Sequence, residues 1–456
     1  MAGTRVLILG LGLSGIVAAR QALAQGDAVT VYAGASSAAT RDAAREFEQQ
    51  GVPVLFDTED VRGSYDLCVA CPGIPATGAF YQSALAASAE LISEPEFAWR
   101  LSPQGWLAVT GTNGKTTTTT LIAHLLHACG TPAALCGNTQ ATTVTDAVLR
   151  RTAGQAIVAE LSSYQLASTR RFSPRVAVLL NITSDHLSWH GSQQAYAAAK
   201  CRVLANLGPG SCAVLCAGVP GCAELEARLA AAGARVVAVG LPRARDCAYA
   251  DAAGTLRYVD SAGTVHALCG ADELRIKGTH NVENALAAAA AAIDFGCEPR
   301  AVGRALTTFE PLQHRIEPCG QAGGVAFYDD SKATNVDATL KALTAFAGQP
   351  VVLLVGGRDK GTELAPLVRA CGGTCRAVVC YGEGGPRFFT AFEGSGVVCV
   401  QAGKLAEAFQ RALELACPGD AVLLSPACAS FDEFTGFAQR GDVFKQLVAQ
   451  AAGQGA

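Results

Sequence analysis

The sequence predicts an α/β protein divided into three domains built on mainly parallel sheets. Three observations predict it. Apolar β-runs recur along the chain, separated by Ala/Leu-rich helical stretches, and that alternation means βαβ units covered on both faces. The β-runs are too many for one sheet of ordinary size. The length, 456 residues, accommodates several domains of roughly 150 residues each.

Val6–Leu9, Val29–Val31 and Leu67–Ala70 read as strands of the first domain. Leu107–Val109, Ile157–Ala159 and Val176–Leu180 follow in the second. Val325–Tyr328, Val351–Val355, Ala377–Cys380, Val397–Val400 and Ala421–Leu424 form the third set. Boundaries fall near Glu96–Arg100, ahead of a new strand, and near Glu310–His314, where an Ala-rich helical region ends at Pro311. The domains are therefore 1–97, 98–311 and 312–456. The Ala-rich run Ala285–Ile293 is too short to span a bilayer and reads as a buried helix.

Composition excludes several classes. Half of the residues are hydrophobic, so large cores form and wholesale disorder is ruled out. With 35 Lys+Arg against 39 Asp+Glu the net charge is −4, and no basic run offers a footprint for nucleic acid. The N-terminus is punctuated by Gly10, Gly12 and Gly15 and does not read as a signal peptide. The 18 cysteines are scattered through apolar segments without framework spacing, which reads as reduced thiols in a cytoplasmic protein. In the lone CxxC, Cys68 and Cys71 lie on a strand-like run with side chains on opposite faces, so chelation is not expected.

The strongest motif is Gly111-Thr112-Asn113-Gly114-Lys115-Thr116, placed between the apolar strand Trp106–Val109 and the helix-like Leu121–Leu126. Glycines let backbone N–H groups converge on phosphate, and a helix N-terminus adds its positive end. Lys115 would bridge the outer phosphates of ATP and Thr116 would face Mg²⁺. The loop is shorter than GxxxxGK[ST], with Val109 where the longer form has Gly.

A nucleotide–metal site needs hard oxygen ligands. Glu160 ends the strand Ile157–Ala159, and a neighbouring parallel strand would deliver it to the same crevice. Asp185-His186 follows the next strand at the same edge. His186 and His190 are four apart, but Leu187 stands where HExxH would place its Glu, so a zinc protease is excluded. His190 reads as incidental, and His124 and His127, down the P-loop helix, as packing residues. Lys200 closes the helical segment Gln193–Lys200 and, on composition alone, is a surface cation.

Gly10-Leu11-Gly12-Leu13-Ser14-Gly15 fits the dinucleotide fingerprint GxGxxG. That fingerprint also wants an acid at the end of the second strand, and Ala33-Gly34 stands there instead. The glycines keep a pyrophosphate reading and lose the nicotinamide one. Two diphosphate-type sites imply a reaction between ATP and a nucleotide-linked substrate.

Six ordered blocks resemble the Mur ligases and their folylpolyglutamate synthase relatives. They are Gly111–Thr117, Glu160–Leu166, Gly278–Asn284, His314-Arg315, Asp330–Asn335 and Ser425–Asp432. The resemblance implies Rossmann-like first and third domains flanking a central P-loop ATPase. It implies a cytoplasmic, monomeric amide ligase of peptidoglycan precursor synthesis, joining D-glutamate to UDP-N-acetylmuramoyl-L-alanine through an acyl phosphate. The cofactors implied are ATP and two Mg²⁺ ions, one sharing a carbamate on Lys200. Catalytic roles fall on Lys115, Glu160, His186, Lys200 and Arg315. ATP contacts are Gly111, Thr112, Asn113, Gly114, Lys115, Thr116, Thr117, Asn284, Arg315 and Asp330. Thr116, Glu160, His186 and Lys200 match metal contacts. The UDP-substrate would meet Leu13, Ser14, Gly73, Asn138 and His186. D-glutamate would meet Lys332, Thr334, Lys360, Ser430, Phe431 and Phe437.

The chain departs from the family pattern at three turns. Ala33-Gly34-Ala35 replaces the uracil contact, Cys71 replaces the serine of a Ser-Pro-Gly-Ile turn, and Thr139-Gln140 follow Gly137-Asn138 where the family has Ile-Gly. Other readings are an amide ligase of the same family with another acceptor, an NAD-dependent oxidoreductase, and a nucleotide sensor without catalysis.

Overall fold

A computed structural model describes residues 3–138 and 142–454. The turn at 139–140, one of the three departures, lies outside the described residues.

The first sheet has five parallel strands. Their order is Val54–Phe56, Ala28–Gly34, Arg5–Leu9, Leu67–Ala70 and Leu91–Ser93. This is the strand order of a doubly wound nucleotide-binding half, with its crevice at the carboxyl ends of the central strands. The glycine turn enters the helix Leu13–Ala24 there. A Cβ on Gly15 would stand 2.1 Å from the Gly10 carbonyl oxygen, so only glycine lets helix and strand approach this closely.

The second sheet has nine strands. From one edge they run Ala133–Gly137, Ala156–Glu160, Trp106–Thr110, Val176–Leu179, Cys212–Cys216, Arg235–Val239 and Cys247–Ala250, all parallel. Thr255–Val259 and Val265–Gly270 then add an antiparallel edge. The central parallel strands are buried on both faces and read as continuous apolar runs, whereas the edge strand Val265–Gly270 alternates exposed and covered residues.

The third sheet is ordered Glu317–Ala322, Val325–Asp329, Ala421–Leu424, Val351–Gly356, Cys375–Tyr381 and Val398–Gln401. Only the Glu317–Ala322 edge is antiparallel. The last strand of the chain inserts beside the second of this sheet, so the order in which strands are added switches between the parallel neighbours Ala421–Leu424 and Val351–Gly356. That is where an open sheet of this kind binds ligands.

By contacts the chain forms two compact units. Met1–Glu273 with Glu283–Thr308 carries the first two sheets; Leu274–Val282 with Phe309–Ala456 carries the third. The alanine run lies in the helix Thr279–Phe295, and Ala285–Ala292 are all buried. Among the described residues no helix is long and apolar enough to cross a membrane. All 18 cysteines are free thiols.

Candidate active site

In the first unit the site grows from the buried strand Trp106–Thr110. It pairs on one side with Glu160's strand, Val109 opposite Glu160, and on the other with Val176–Leu179, Thr110 opposite Leu179. The phosphate loop, Glu160 and the segment leading to His186 therefore leave one edge of one sheet, as the sequence predicts. Gly114 caps the helix Lys115–Ala128 in a left-handed conformation, φ 83°. A Cβ there would lie 2.3 Å from Asn284 Oδ1, so Asn284 is brought against the loop.

The loop is braced from the neighbouring strand. Thr112 N donates to the Asn181 carbonyl at 2.8 Å and Asn113 N to Asn181 Oδ1 at 2.9 Å. Thr112 Oγ1 accepts from Thr183 N at 3.0 Å and lies 3.0 Å from the Tyr196 hydroxyl. Lys115 Nζ donates to the Thr112 carbonyl at 2.8 Å.

Lys200 is not a surface cation. It is 2% exposed, and its Nζ donates to the Gly111 carbonyl at 2.7 Å. Burial, reinforced by Lys115, holds its amine well below the ordinary lysine range, while Asp185 and Glu160 pull the other way. Glu160 is also buried. Its Oε1 accepts from Asn138 Nδ2 at 3.2 Å, and its Oε2 has no hydrogen-bond partner among the described residues.

His186 sits in left-handed backbone, φ 54°, and its N–H donates to Asp185 Oδ1 at 2.9 Å. It opens the one-turn helix Leu187–His190. His190, read as incidental, is buried, with Nε2 2.9 Å from Ser163 Oγ. Burial, with His186 and Lys200 adding to it, pushes the His190 imidazole down to about 4, so it is neutral at pH 7. His124 and His127 are packing residues: His124 Nε2 lies 3.0 Å from the Ala305 carbonyl, and His127 Nε2 accepts from Ala133 N at 2.9 Å.

Also in this unit, the glycine turn leaves Leu13 78% exposed beside Ser14, as a contact for a bound substrate requires. Cys71, ahead of Gly73, donates its thiol to the Gly10 carbonyl at 3.3 Å, so a thiol ties the two turns together. An acid that follows the third strand, Asp57, stands beside the end of the second. Asp57 N donates to the Gly34 carbonyl at 2.9 Å, and Asp57 Oδ1 accepts from Ser36 N at 2.8 Å. Nothing along the second strand marks Asp57, because it follows the third and meets Ser36 only in the fold.

In the second unit the loops after Val325–Asp329, Val351–Gly356 and Ala421–Leu424 meet. Asp330 is buried and accepts from Ser425 Oγ at 2.7 Å. Burial pushes its carboxyl up to about 7. Lys332 Nζ lies 3.8 Å over the Phe437 ring. Arg358 N donates to the Ala429 carbonyl at 2.8 Å, joining the Lys360 loop to the loop bearing Ser430. Ser430 is buried and Phe431 60% exposed. Thr334 N donates to the Lys332 carbonyl at 2.8 Å, which folds that loop back on itself. Arg315 and Lys341 add to burial in pushing the His280 imidazole down to about 4.

Arg440 was also missed by sequence reading. It is fully buried, donating from Nε to Ser331 Oγ (2.9 Å) and from Nη2 to the carbonyls of Ser331 (2.8 Å) and Cys428 (3.1 Å). Nothing in the local sequence marks it, since its partners lie up to 109 residues away. His314, Glu317 and Asp329 bring ligand-type atoms within 4.8 Å of one another. These atoms are spent on each other and on Lys445: His314 Nδ1 lies 2.6 Å from Asp329 Oδ2, and Glu317 Oε2 accepts from His314 N at 2.7 Å and from Lys445 at 3.3 Å.

Comparison with known proteins matches the Mur ligase middle domain at residues 109–292 and the Mur ligase, glutamate ligase domain at 314–428. A UDP-N-acetylmuramoylalanine–D-glutamate ligase of Rubrobacter xylanophilus is 40% identical over 450 residues, 97% of this chain and 98% of the relative. One of Shouchella clausii is 38% identical over 98% of this chain and 97% of its own. The chain belongs to the Mur ligase family. Solved structures of MurF from Acinetobacter baumannii (17% identity, 87% of this chain and 92% of that one, TM-score 0.59) and of UDP-N-acetylmuramate-alanine ligase MurC from Thermotoga maritima (18% identity, 97% and 99%, TM-score 0.56) share the fold.

Mur ligases use ATP and Mg²⁺, and the residues of this Mur ligase fit a divalent cation. The buried, unpartnered Glu160 Oε2 is a hard anionic ligand with its coordination unspent, and the phosphate loop that would hold ATP starts from the adjacent strand.

Proposed function

We propose that this Mur ligase joins D-glutamate to UDP-N-acetylmuramoyl-L-alanine, with hydrolysis of ATP to ADP and phosphate. The observation that carries the reading is similarity to D-glutamate ligases across 97–98% of the chain, including both the phosphate loop and the unit with Lys332, Lys360 and Ser430. We assign residues 1–97 to the UDP-substrate, 98–311 to ATP and 312–456 to the amino acid, in a monomeric cytoplasmic enzyme.

A carboxylate is a poor acylating agent because oxide is a poor leaving group. An oxygen of the alanyl carboxylate attacks the γ-phosphorus, the bond to the β–γ bridging oxygen breaks, and ADP leaves. The D-glutamate amine then attacks the acyl carbon, loses a proton, and phosphate departs with the electron pair of the C–O bond. Two anions must be held in line for the first step, and their repulsion calls for cations.

Lys115 and the loop N–H groups hold the phosphates, with Asn284 and Arg315 as further ATP contacts and Asp330 on the ribose. Thr116, Glu160, His186 and a carbamate on Lys200 would hold two Mg²⁺ ions, whose charge would offset that of the transferring phosphoryl group. Burial of Lys200 beside a carbonyl rather than a carboxylate supports the carbamate, because an unmodified ammonium is costly there. Leu13, Ser14, Gly73, Asn138 and His186 hold the UDP-substrate. The hydrogen bond from Asn138 to Glu160 supports one continuous site from sugar to metal. Lys332, Thr334, Lys360 and Ser430 hold the two carboxylates of D-glutamate, with Phe431 and Phe437 beside them.

The test is phosphate release from ATP by the purified enzyme. Release is expected only with UDP-N-acetylmuramoyl-L-alanine and D-glutamate both present. Equal turnover with L-glutamate on a folate would refute the reading.

A further inference from the structure

His186 reaches the site on a single turn, Leu187–His190, four residues long. One turn does not hold itself in water, since nucleation fixes several dihedrals for one hydrogen bond. Left-handed backbone at His186, φ 54°, adds to the cost. Leu187 is 45% exposed and anchors nothing, and Trp189 packs its ring 4.7 Å from that of Tyr164, a contact without direction that leaves the register to a polar group.

The anchor is at the other end. His190 is 8% exposed, and its Nε2 is 2.9 Å from Ser163 Oγ. Ser163 begins the helix Ser163–Ala167, three residues after Glu160. His190 N donates to the His186 carbonyl at 3.1 Å. Glu160 and His186 are thus linked by a short path through Ser163 and His190. The rings extend it. Tyr164 lies 5.6 Å from His190 and 4.9 Å from His186; Tyr196 lies 5.3 Å from His190 and 6.2 Å from His186. Two imidazoles share two phenol rings. Tyr196 also lies 4.7 Å from Lys200 Nζ, and its hydroxyl meets Thr112.

We propose that His190 is a positioning residue, pinning the His186 turn to Ser163 and so setting His186 and Lys200 in register with Glu160. The proposal rests on the reading of those three as cation ligands and assigns the part that fixes their spacing. Partners that orient ligands change metal affinity by roughly 10–100-fold when removed. A histidine that merely fills space would not, because phenylalanine fills the same space.

The experiment uses His190→Phe, which keeps the ring and removes Nε2, Ser163→Ala, which removes the partner, and the double variant. Mn²⁺ binding in the presence of a non-hydrolysable ATP analogue is measured by electron paramagnetic resonance, alongside KM for D-glutamate. Each single variant is expected to weaken Mn²⁺ binding by about tenfold. The double variant is expected to be no more than about twofold worse, with KM for D-glutamate within about twofold, because one bond is being removed from either side. Mn²⁺ affinity within twofold of the parent in both single variants overturns the proposal; if His190→Phe does not fold, Ser163→Ala decides alone. If the parent itself binds no Mn²⁺, the ligand reading falls and takes the proposal with it.

Discussion

Lys200 and Lys115 stand close enough to disfavour each other's charge, yet they solve different problems. Lys115 begins the phosphate-loop helix, where the proposed function has it meet phosphate. Lys200 is buried against the Gly111 carbonyl, where the proposed anionic carbamate would supply what a metal wants. Lys200→Ala should therefore abolish phosphate release, and acetate should restore part of it by standing in the carbamate's place; absence of rescue at any acetate concentration counts against the carbamate. Lys115→Ala should cost roughly 10²–10³ in kcat without rescue, as loss of one group at developing charge does elsewhere. Asp57 gives a third expectation. If it supplies the acid that Ala33-Gly34 lacks, Asp57→Ala should raise KM for the UDP-substrate by about tenfold, the worth of one charged hydrogen bond, with kcat unchanged. A changed kcat with constant KM would sink that role. Lys115 and Thr116 could be singled out in the sequence because a glycine loop joins an apolar strand to a helix there, and Glu160 because it ends an apolar strand. Lys200 was legible only through resemblance to a family, since its burial is created by segments 89 residues distant. Asp57, His190 and Arg440 were not legible, because each gets its meaning from a partner in another segment.

At the scale of elements, the central parallel strands could be read because burial on both faces demands unbroken apolar runs. Leu67–Ala70 and Ala421–Leu424 have the bounds that the sequence predicts. Among edge strands, Val398–Gln401 was read within one residue, but two others could not be read the same way. Glu317–Ala322 contains Pro318 and Gly320, with a register shift between them, and Val265–Gly270 is half exposed. An edge pairs on one side only and tolerates the residues a central strand excludes. The phosphate-loop helix starts at Lys115, six residues ahead of its apolar part, because its early threonines are buried yet carry no apolar pattern. Arg440 shows how elements, once formed, are joined. Lying on the helix Phe437–Gln454, it bonds to the Asp330–Asn335 loop and to the loop of Ser430. Arg440→Met should leave at least three acceptors unsatisfied and cost roughly 3 kcal/mol or more. KM for D-glutamate should rise while ATP affinity holds. A parallel loss of both would mean the unit had simply unfolded.

For the molecule as a whole, the balance of charge conceals two buried carboxyls that oppose folding at neutral pH. One is Asp330; the other is Glu94, which opens the helix Glu94–Leu101 next to the first sheet. Glu94 is 1% exposed, its Oε1 accepts from Thr145 N at 2.7 Å and from Thr145 Oγ1 at 2.6 Å, and its Oε2 is unpartnered among the described residues. Burial outweighs the Thr145 hydrogen bonds and raises its carboxyl from 4.5 to about 7. Between those values the folded chain holds a proton that the unfolded chain has lost. Its contribution to stability is therefore full below about 4.5, falls as pH rises, and is exhausted above about 7, a loss of roughly 3 kcal/mol. Ion-paired acids such as Asp66, lowered to about 2 by Arg5, act in the opposite sense but are spent well below this window. Glu94→Gln is neutral at every pH and still presents an oxygen to Thr145. It should melt above the parent at pH 8 by several degrees, and the gap should close as pH falls toward 5. An equal gap at both pH values would show that the substitution acts through packing and not through the proton.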